Sequence, residues 1–380
     1  MGRLTKTAAS RMCMRPDRSL WIVALLLLGM AGARGVIFRG TDDPVHNTTP
    51  PGGSLTNSGW QCQGQWGAFL GTPVSPRHFI AAGHVGGAVG DIFVFRGVAY
   101  TTTAMFDDPN SDLRIWRVCG LLPEYAALYD GVSEVGKPFV VFGRGTQRGA
   151  PVIVSDLFGA TTKGWLWGTA DGVQRWGTNV VSAVLNGDTI PPLGGAAGGP
   201  VGDMLQATFD ANGGADEAHL SVGDSSGGLF IQEQGVWKLA GINYAVEAYF
   251  NTNDVGPGFF AAITDKGGLY SGGPGNWQQT PELPADLSTA LYATRIASNL
   301  AWIRSILNAS PPSDPPPRLE SASAVTGPYE PATNSTVDES TRTITLPHPT
   351  QTRFFRLSGC DALRIARISA NGTNLVLNYE

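Results

Sequence analysis

The chain has 380 residues, of which 50 are glycine and 26 are proline, while only 15% carry a charge. This composition disfavours a coiled coil or a helical bundle, and an apolar share of 42% excludes a wholly disordered chain. A formal net charge of −5 argues against a nucleic-acid-binding protein, because such proteins present a basic surface. At roughly 150 residues per domain, the length predicts two or three domains.

The first 35 residues have the pattern of a cleaved signal peptide. Five basic residues precede the apolar run 21–33, which is too short to span a bilayer comfortably. Cleavage after Ala33 and cleavage after Gly35 both satisfy the small-residue rule. An uncleaved signal anchor is the alternative. The signal peptide predicts a secreted or extracytoplasmic protein without a membrane span after cleavage.

Four cysteines are too few for a disulfide scaffold. Removal of the signal peptide takes Cys13 away and leaves Cys62, Cys119 and Cys360. An odd count in an oxidising compartment allows at most one internal disulfide and leaves one thiol. Spacing alone does not fix the pairing, and the pairing we favour is Cys62 with Cys119.

Residues 60–275 consist of short apolar or alternating runs separated by Gly, Pro and Asn-Gly, a pattern typical of antiparallel strands in a sandwich or barrel. The expected strands are Trp66–Leu70, His78–Ala82, Ile92–Phe95, Leu113–Val118, Phe139–Phe142, Val152–Val154, Leu229–Ile231, Val236–Ile242 and Gly258–Ile263.

The last third of the chain contains a predicted helix, a Pro-rich linker and a second strand-rich region. Leu287–Leu307 is predicted to be an amphipathic helix, which ends before the Pro-rich run 311–317. Residues 309–318 are therefore expected to form a semi-extended linker. Residues 319–380 alternate again and predict a small β-rich module.

Two segments place polar side chains at the ends of expected strands. His84 stands where the apolar run 78–82 gives way to a glycine-containing loop. Asp112 comes directly before the alternating run 113–118, and an acid there can orient an imidazole. Taken singly, each is also what an ordinary turn residue looks like.

A third segment, Val222–Ile231 (VGDSSGGLFI), surrounds Ser225 with glycines. A nucleophilic serine needs backbone N–H groups that converge on the oxyanion, and glycine allows the main chain to approach that closely. The alternative is a Gly/Ser-rich hairpin loop, although Asp224 before the serine makes the string less generic.

In the order His84, Asp112, Ser225, these segments resemble the motifs of the chymotrypsin/trypsin-like serine peptidases. The matching strings are AAGHV (81–85), DLRI (112–115) and GDSSGGLF (223–230), and 294–307 is similar to the family's closing segment and helix. The resemblance covers residues 36–308. It implies an all-β fold with two six-stranded antiparallel β-barrels, an active site between them and a C-terminal helix. Val85 stands where the family usually has a cysteine, so the histidine-loop disulfide is missing.

The resemblance implies a secreted serine endopeptidase that cleaves a protein or peptide substrate through an acyl-enzyme, with no cofactor and no metal. His84 would act as the base, Asp112 would orient it, and Ser225 would be the nucleophile. The N–H groups of Gly223 and Ser225 would form the oxyanion hole. An ungapped alignment favours Ser225 over Ser226, which replaces a glycine.

Specificity and maturation are also expectations from the resemblance. Six residues before the nucleophile, where trypsin-type enzymes carry an acid, this chain has His219, so an acidic pocket floor is not expected, although Asp216 and Glu217 lie nearby. A surface histidine fits the sequence equally well. Cleavage after Gly35 would leave Val36 as an aliphatic N-terminus whose ammonium would pair with Asp224.

Two other functions compete with this interpretation. One is a catalytically dead trypsin-like domain that acts as a secreted binding or adhesion protein, with residues 319–380 contacting a surface or a protein. The other is an α/β-hydrolase esterase, because residues 223–227 also satisfy G-x-S-x-G. That class needs a histidine after the serine, and only His348 follows Ser225.

Overall fold

A computed structural model describes residues 35–156, 159–190, 199–283, 286–309, 316–360 and 363–380. The expected signal peptide, apart from Gly35, and most of the Pro-rich run lie outside the described residues.

The first half of the chain forms a closed six-stranded barrel after a short N-terminal strand. The strands are β1 (Ile37–Phe38), β2 (Gly64–Trp66), β3 (Phe69–Ser75), β4 (His78–Ala82), β5 (Ile92–Phe95), β6 (Val98–Asp107) and β7 (Leu113–Val118). The barrel order is β2-β3-β4-β7-β6-β5, with antiparallel neighbours. Phe79 and Phe93 stack inside it with ring centroids 4.0 Å apart. The run 66–70 is two strands rather than one, because a turn at Gly67 (φ +57°) divides it.

The second half is also built from strands. They are β8 (Ala127–Leu128), β9 (Pro138–Gly143), β10 (Thr146–Asp156), β11 (Gly159–Ala170), β12 (Arg175–Val180), β13 (Ala183–Asn186), β14 (Asp203–Thr208), β15 (Ala218–His219), β16 (Gly228–Glu233), β17 (Val236–Val246), β18 (Tyr249–Asn251), β19 (Phe259–Ile263), β20 (Tyr270–Ser271), β21 (Gln278–Gln279) and β22 (Ala290–Arg295).

These strands form two sheets, and β15 pairs with β1. The main sheet has eight strands, in the order β12-β9-β16-β17-β22-β14-β13 with β8 parallel to β17. A six-stranded sheet, β10-β11-β19-β18-β20-β21, adds the long hairpin 146–170 and the segment 249–279. The chain is therefore all-β as expected, and its second half has more strands than the six of a simple barrel.

The predicted helix 287–307 is correct only in its second part. Residues 290–295 form strand β22, and helix α1 runs from Ile296 to Asn308. β22 lies between β14 and β17, so both edges of its backbone are hydrogen-bonded to neighbours that a local pattern does not reveal. Ile296 and Ile303 are buried and form the inner face of the helix.

Among the described residues, no helix combines the length and the apolar character needed to cross a bilayer.

In the described part of residues 316–380 the chain forms seven strands in two sheets. The strands are β23 (Arg318–Ala322), β24 (Glu330–Pro331), β25 (Thr336–Asp338), β26 (Thr343–Pro347), β27 (Phe354–Ser358), β28 (Ile365–Asn371) and β29 (Asn374–Tyr379). Their orders are β24-β23-β27 and β25-β26-β29-β28. Leu319, Ile344 and Leu377 are buried in a cluster of their own, so this segment has a small apolar core.

The favoured cysteine pairing is wrong. Cys119, directly after β7, is bonded to Cys360, which lies 241 residues later in the sequence, and Cys62 is a buried free thiol. Burial is the largest cause that raises the pKa of Cys62, to about 12. A disulfide requires Cα atoms within about 7 Å of each other. Here the fold brings Cys119 and Cys360 to 4.4 Å, which spacing in the sequence could not reveal.

Candidate active site

The sheet pairing of the first barrel brings His84 and Asp112 together. His84 lies in a 3-10 turn, Gly83–Val85, at the end of β4, and Asp112 precedes β7, which pairs with β4. His84 Nδ1 lies 2.6 Å from Asp112 Oδ2, and the His84 N–H donates to Oδ1 at 3.0 Å. Gly83 stands against the aspartate, since a Cβ there would lie 3.2 Å from the Asp112 carbonyl oxygen. The carboxylate therefore fixes the ring through both backbone and side chain.

This contact decides which nitrogen of the imidazole is available for chemistry. A carboxylate on Nδ1 favours the tautomer with the proton on Nδ1, so Nε2 becomes the atom that can accept a proton. Both side chains are largely buried, with 20% of His84 and 14% of Asp112 exposed. The pair has the geometry of a general base with an orienting acid.

Tyr244 in β17 packs against His84 on another side, and no local sequence signal pointed to it. Its ring meets the imidazole edge-on, at 5.4 Å between centroids and an interplanar angle of 86°. Burial is the main cause that raises the pKa of Tyr244, and the negative charges of Asp112 and Asp188 add to it. Tyr244 is therefore a neutral aromatic wall beside the imidazole.

The two adjacent serines, Ser225 and Ser226, differ in what surrounds them. The Ser226 side chain is fully buried, and its Oγ accepts a hydrogen bond from the Ala82 N–H at 3.0 Å. Ser225 is partly exposed. Ser226 also has a φ of +68°, in the left-handed region that glycine adopts most easily. The Ser226 hydroxyl is thus engaged in holding the loop to β4, while Ser225 remains partly exposed.

The backbone N–H groups of residues 223–227 fall into two sets. Asp224, Ser226 and Gly227 donate to the carbonyl oxygens of Ser221, Asn243 and Asp224, respectively. The N–H groups of Gly223 and Ser225 donate to no other described residue. Two unpaired N–H groups on one glycine-rich loop are what an oxyanion hole requires.

The structure brings the three predicted catalytic residues to one place, but it does not join all of them. The hydrogen bond from Ala82 to Ser226 connects the strand before His84 with the residue after Ser225. Among the described residues, no hydrogen bond joins Ser225 Oγ to His84 Nε2. Such contacts are often long in free enzymes and tighten when substrate binds.

Asp224 lies in a buried cage of donors. Its carboxylate accepts hydrogen bonds from Gly145 N at 2.6 Å, Ser221 N at 2.7 Å, Ser221 Oγ at 2.9 Å and Val36 N at 3.2 Å. Burial nevertheless raises the pKa of Asp224 to about 6. The pairing of β1 with β15, Ile37 opposite His219, brings Val36 to this cage.

His219, the candidate for the specificity pocket, is fully buried. Its Nδ1 lies 2.7 Å from the Leu220 carbonyl oxygen, and its ring meets Phe209 at 5.5 Å. Burial lowers the pKa of His219 to about 4, so the ring is neutral at pH 7. Among the described residues His219 therefore packs in the interior and does not line an open surface.

The acids near His219 are occupied by other contacts. Asp216 Oδ1 lies 2.8 Å from His46 Nε2, and Glu217 accepts a hydrogen bond from Asp210 N at 2.5 Å. Burial raises the pKa of Glu217 to about 7.

Within the described ranges, no group of three or more His, Cys, Asp or Glu side chains is arranged to hold a metal ion.

Comparisons with known proteins give little beyond this geometry. No family model matches the chain, and no curated protein matches it. Among 842 matching chains of solved structures is kallikrein-related peptidase 10, with 13% identity and a TM-score of 0.37 over 69% of this chain and 100% of that chain. A likeness at this level says nothing about activity, so function has to be inferred from the site itself.

Proposed function

We propose that the chain is a secreted serine endopeptidase of the chymotrypsin/trypsin-like type, with His84, Asp112 and Ser225 as its catalytic residues. The observation that carries the proposal is the convergence of three distant segments. The oriented imidazole lies just after β4 and its aspartate just before β7. The bond from Ala82 to Ser226 holds β4 against the loop before β16, which carries the partly exposed serine and two N–H groups that donate to no other described residue. Each feature has a role in acyl transfer, and together they supply a base, a nucleophile and an oxyanion site.

The proposed reaction has two halves. Ser225 Oγ attacks the carbonyl carbon of the scissile peptide bond while its proton passes to His84 Nε2. The N–H groups of Gly223 and Ser225 stabilise the oxyanion, and Asp112 stabilises the imidazolium. His84 then gives the proton to the leaving amine, which departs and leaves an acyl-enzyme. Water, deprotonated by His84, releases the acid and restores Ser225.

Maturation is proposed to occur when the chain is cut after Gly35. Val36 N already lies 3.2 Å from Asp224 Oδ1, and Val36 and Asp224 are each only 1% exposed. A free ammonium at this nitrogen would replace an uncharged amide donor by a cation and so form an ion pair with the buried carboxylate. The cut would thereby stabilise the loop that carries Ser225.

Secretion and the role of the C-terminal module are also proposals. The bond between Cys119 and Cys360 supports an oxidising compartment, where disulfides form and persist. The same bond fastens residues 316–380 to the first barrel. The module is proposed to contact a surface or a protein while the peptidase acts on its protein or peptide substrate.

A dead peptidase that acts as a binding protein is the second candidate. Two observations favour it: Ser226 occupies a left-handed position, and Ser225 lacks a hydrogen bond to His84. A side chain at residue 226 would impair catalysis only if it displaced the oxyanion loop. Its hydroxyl instead holds the loop to β4, which is why we favour the active enzyme.

Hydrolysis of a peptide library separates the candidates. The protein that begins at Val36 is expected to cleave peptides, and Ser225→Ala is expected to lower the rate by roughly 10⁴-fold or more. Ser226→Ala is the comparison: it removes the adjacent hydroxyl and its hydrogen bond to Ala82, so it should loosen the loop and lower the rate far less than Ser225→Ala does. A wild-type protein that cleaves nothing would favour the binding protein. Activity lost in Ser226→Ala and kept in Ser225→Ala would move the nucleophile to Ser226.

A further inference from the structure

Asn243, in β17, makes three hydrogen bonds to the loop of Ser225 and a fourth to β9. Its backbone N–H donates to the Gly227 carbonyl oxygen, and its carbonyl oxygen accepts from the Ser226 N–H, both at 2.9 Å. Its side-chain Nδ2 donates to the carbonyl oxygens of Asp224 at 2.9 Å and Phe142 at 2.8 Å. Only 1% of Asn243 is exposed, so water does not compete for these bonds.

The bond from Nδ2 to the Asp224 oxygen has a geometric consequence for Ser225. The peptide bond between Asp224 and Ser225 is planar, and in the trans form its C=O and N–H point in opposite directions. The Asn243 amide is the shorter of two donors to the Asp224 C=O, the other being the Gly227 N–H at 3.3 Å. By holding that C=O toward the interior, it aims the Ser225 N–H the opposite way. That N–H, like the N–H of Gly223, donates to no other described residue.

The surroundings of the amide show that it fits this place closely. A Cβ on Gly227 would lie 2.8 Å from Asn243 Nδ2 and 1.9 Å from the Phe142 oxygen, so a glycine there leaves room for the side chain. An amide nitrogen has two donors, and both are used. The Oδ1 atom accepts no hydrogen bond from the described residues, which costs free energy in a buried site. Asn243 carries that cost while its Nδ2 joins β9 to the serine loop.

We propose that Asn243 is a positioning residue that orients the Ser225 N–H as an oxyanion donor. The proposal rests on the serine-peptidase function inferred above and adds a residue to it. Asn243 touches neither substrate nor the reacting atoms, and it acts through the Asp224–Ser225 peptide. Its loss is expected to weaken binding of the transition state much more than binding of the substrate, because the oxyanion forms only in the transition state.

Asn243→Leu tests this, since leucine has a similar shape and no donors. Loss of a single oxyanion donor lowers kcat by about 10²–10³-fold in other enzymes, and a misdirected donor is expected to lower it here by roughly 10- to 100-fold, with KM nearly unchanged. Affinity for a peptide aldehyde, which binds as a tetrahedral adduct, should fall in parallel. Asn251→Leu is the matched control: Asn251 is also buried and donates from Nδ2 to Val255 O at 2.8 Å, outside the site, so its kcat should be unchanged.

Each rate is divided by the concentration of active sites, which is measured by titration with a fluorophosphonate. A purely structural role would lower the titrated fraction and leave kcat per site at the wild-type value, and that result would overturn the proposal. If Asn243→Leu does not fold, Asn243→Ser leaves space for a water in place of the amide and is expected to keep more of the kcat. A wild-type kcat per site in Asn243→Ser, together with wild-type aldehyde affinity, would also overturn the proposal. A wild-type protein that the fluorophosphonate does not label refutes the peptidase function instead.

Discussion

Gly143 allows the Asp224 carboxylate to enter the interior. A Cβ at this position would lie 2.0 Å from Asp224 Oδ1, closer than any real contact. Gly143→Ala is therefore expected to displace the carboxylate from its donors, destabilise the fold by about 2–4 kcal/mol and abolish peptidase activity. Thermal unfolding and the active-site titration measure both effects.

Gly273→Ala is the control for that substitution. A Cβ on Gly273 would meet nothing within 4 Å, so this variant should keep the wild-type stability and activity. A Gly143→Ala protein that unfolds at the wild-type temperature and cleaves peptides at the wild-type rate would show that the Asp224 cage is not needed.

Single residues were predictable from sequence where the local string carried a signal. His84, Asp112 and Ser225 each follow or precede a strand-like run and match a motif, and the structure places them near one another. Asn243 and Tyr244 gave no such signal, because they lie within the long run of β17 and match no motif. Their importance comes from contacts with residues far away in sequence, which no local pattern encodes.

At the scale of elements, the strands β4, β5 and β7 have the bounds that the sequence predicted, since each is a short apolar or alternating run between turn residues. The start of α1 was predicted nine residues too early. The segment 290–295 fits the edge of an amphipathic helix in sequence, yet it pairs with β14 and β17 on its two sides. Tertiary hydrogen bonds decide such a boundary.

The N-terminal strand β1 leads to a prediction about pH. With Gly35 still attached, Val36 N is an uncharged amide, and the pKa of Asp224 is raised by burial to about 6 from an ordinary value of 3.8. A raised pKa in the folded state means that the folded protein is favoured while Asp224 is protonated. That stability is lost as the pH rises through about 6.

A chain that begins at Val36 should escape much of this loss, because its ammonium pairs with the carboxylate. The unfolding temperature of the Val36 protein should therefore exceed that of the protein that retains Gly35 at pH 7. The difference should shrink as the pH falls from about 6 toward 4, where Asp224 becomes protonated in the protein that retains Gly35. Measurements across pH 4–8 test this, and a difference that is constant over the whole range would contradict the ion pair.

At the scale of the whole molecule, the all-β architecture was predictable, because strand alternation and turn residues are both visible within a few consecutive residues. The pairing of Cys119 with Cys360 was not, since it depends on how residues 316–380 pack against the first barrel across a sequence separation of 241. The additional sheet of the second half was also missed. Its hairpin β10–β11 is held by pairing with β19, almost a hundred residues further along the chain.

The disulfide is expected to stabilise the molecule without taking part in catalysis. The double variant Cys119→Ser, Cys360→Ser should lose about 2–4 kcal/mol of stability, because the bond closes a long loop in the unfolded chain. Its unfolding temperature should fall, and its kcat per titrated site should stay near the wild-type value, since neither cysteine contacts His84 or Ser225. A collapse of kcat per site would show instead that residues 316–380 take part in the reaction.

The central claim, that Ser225 is the activated nucleophile of this protein, is tested most directly by mapping the covalent adduct. The protein that begins at Val36 is treated with a fluorophosphonate, digested and analysed by mass spectrometry. We expect one phosphonyl group per chain, on Ser225, with the labelling lost in Ser225→Ala and strongly slowed in Asp112→Asn. No adduct on the folded wild-type protein, or an adduct on Ser226, would contradict the account.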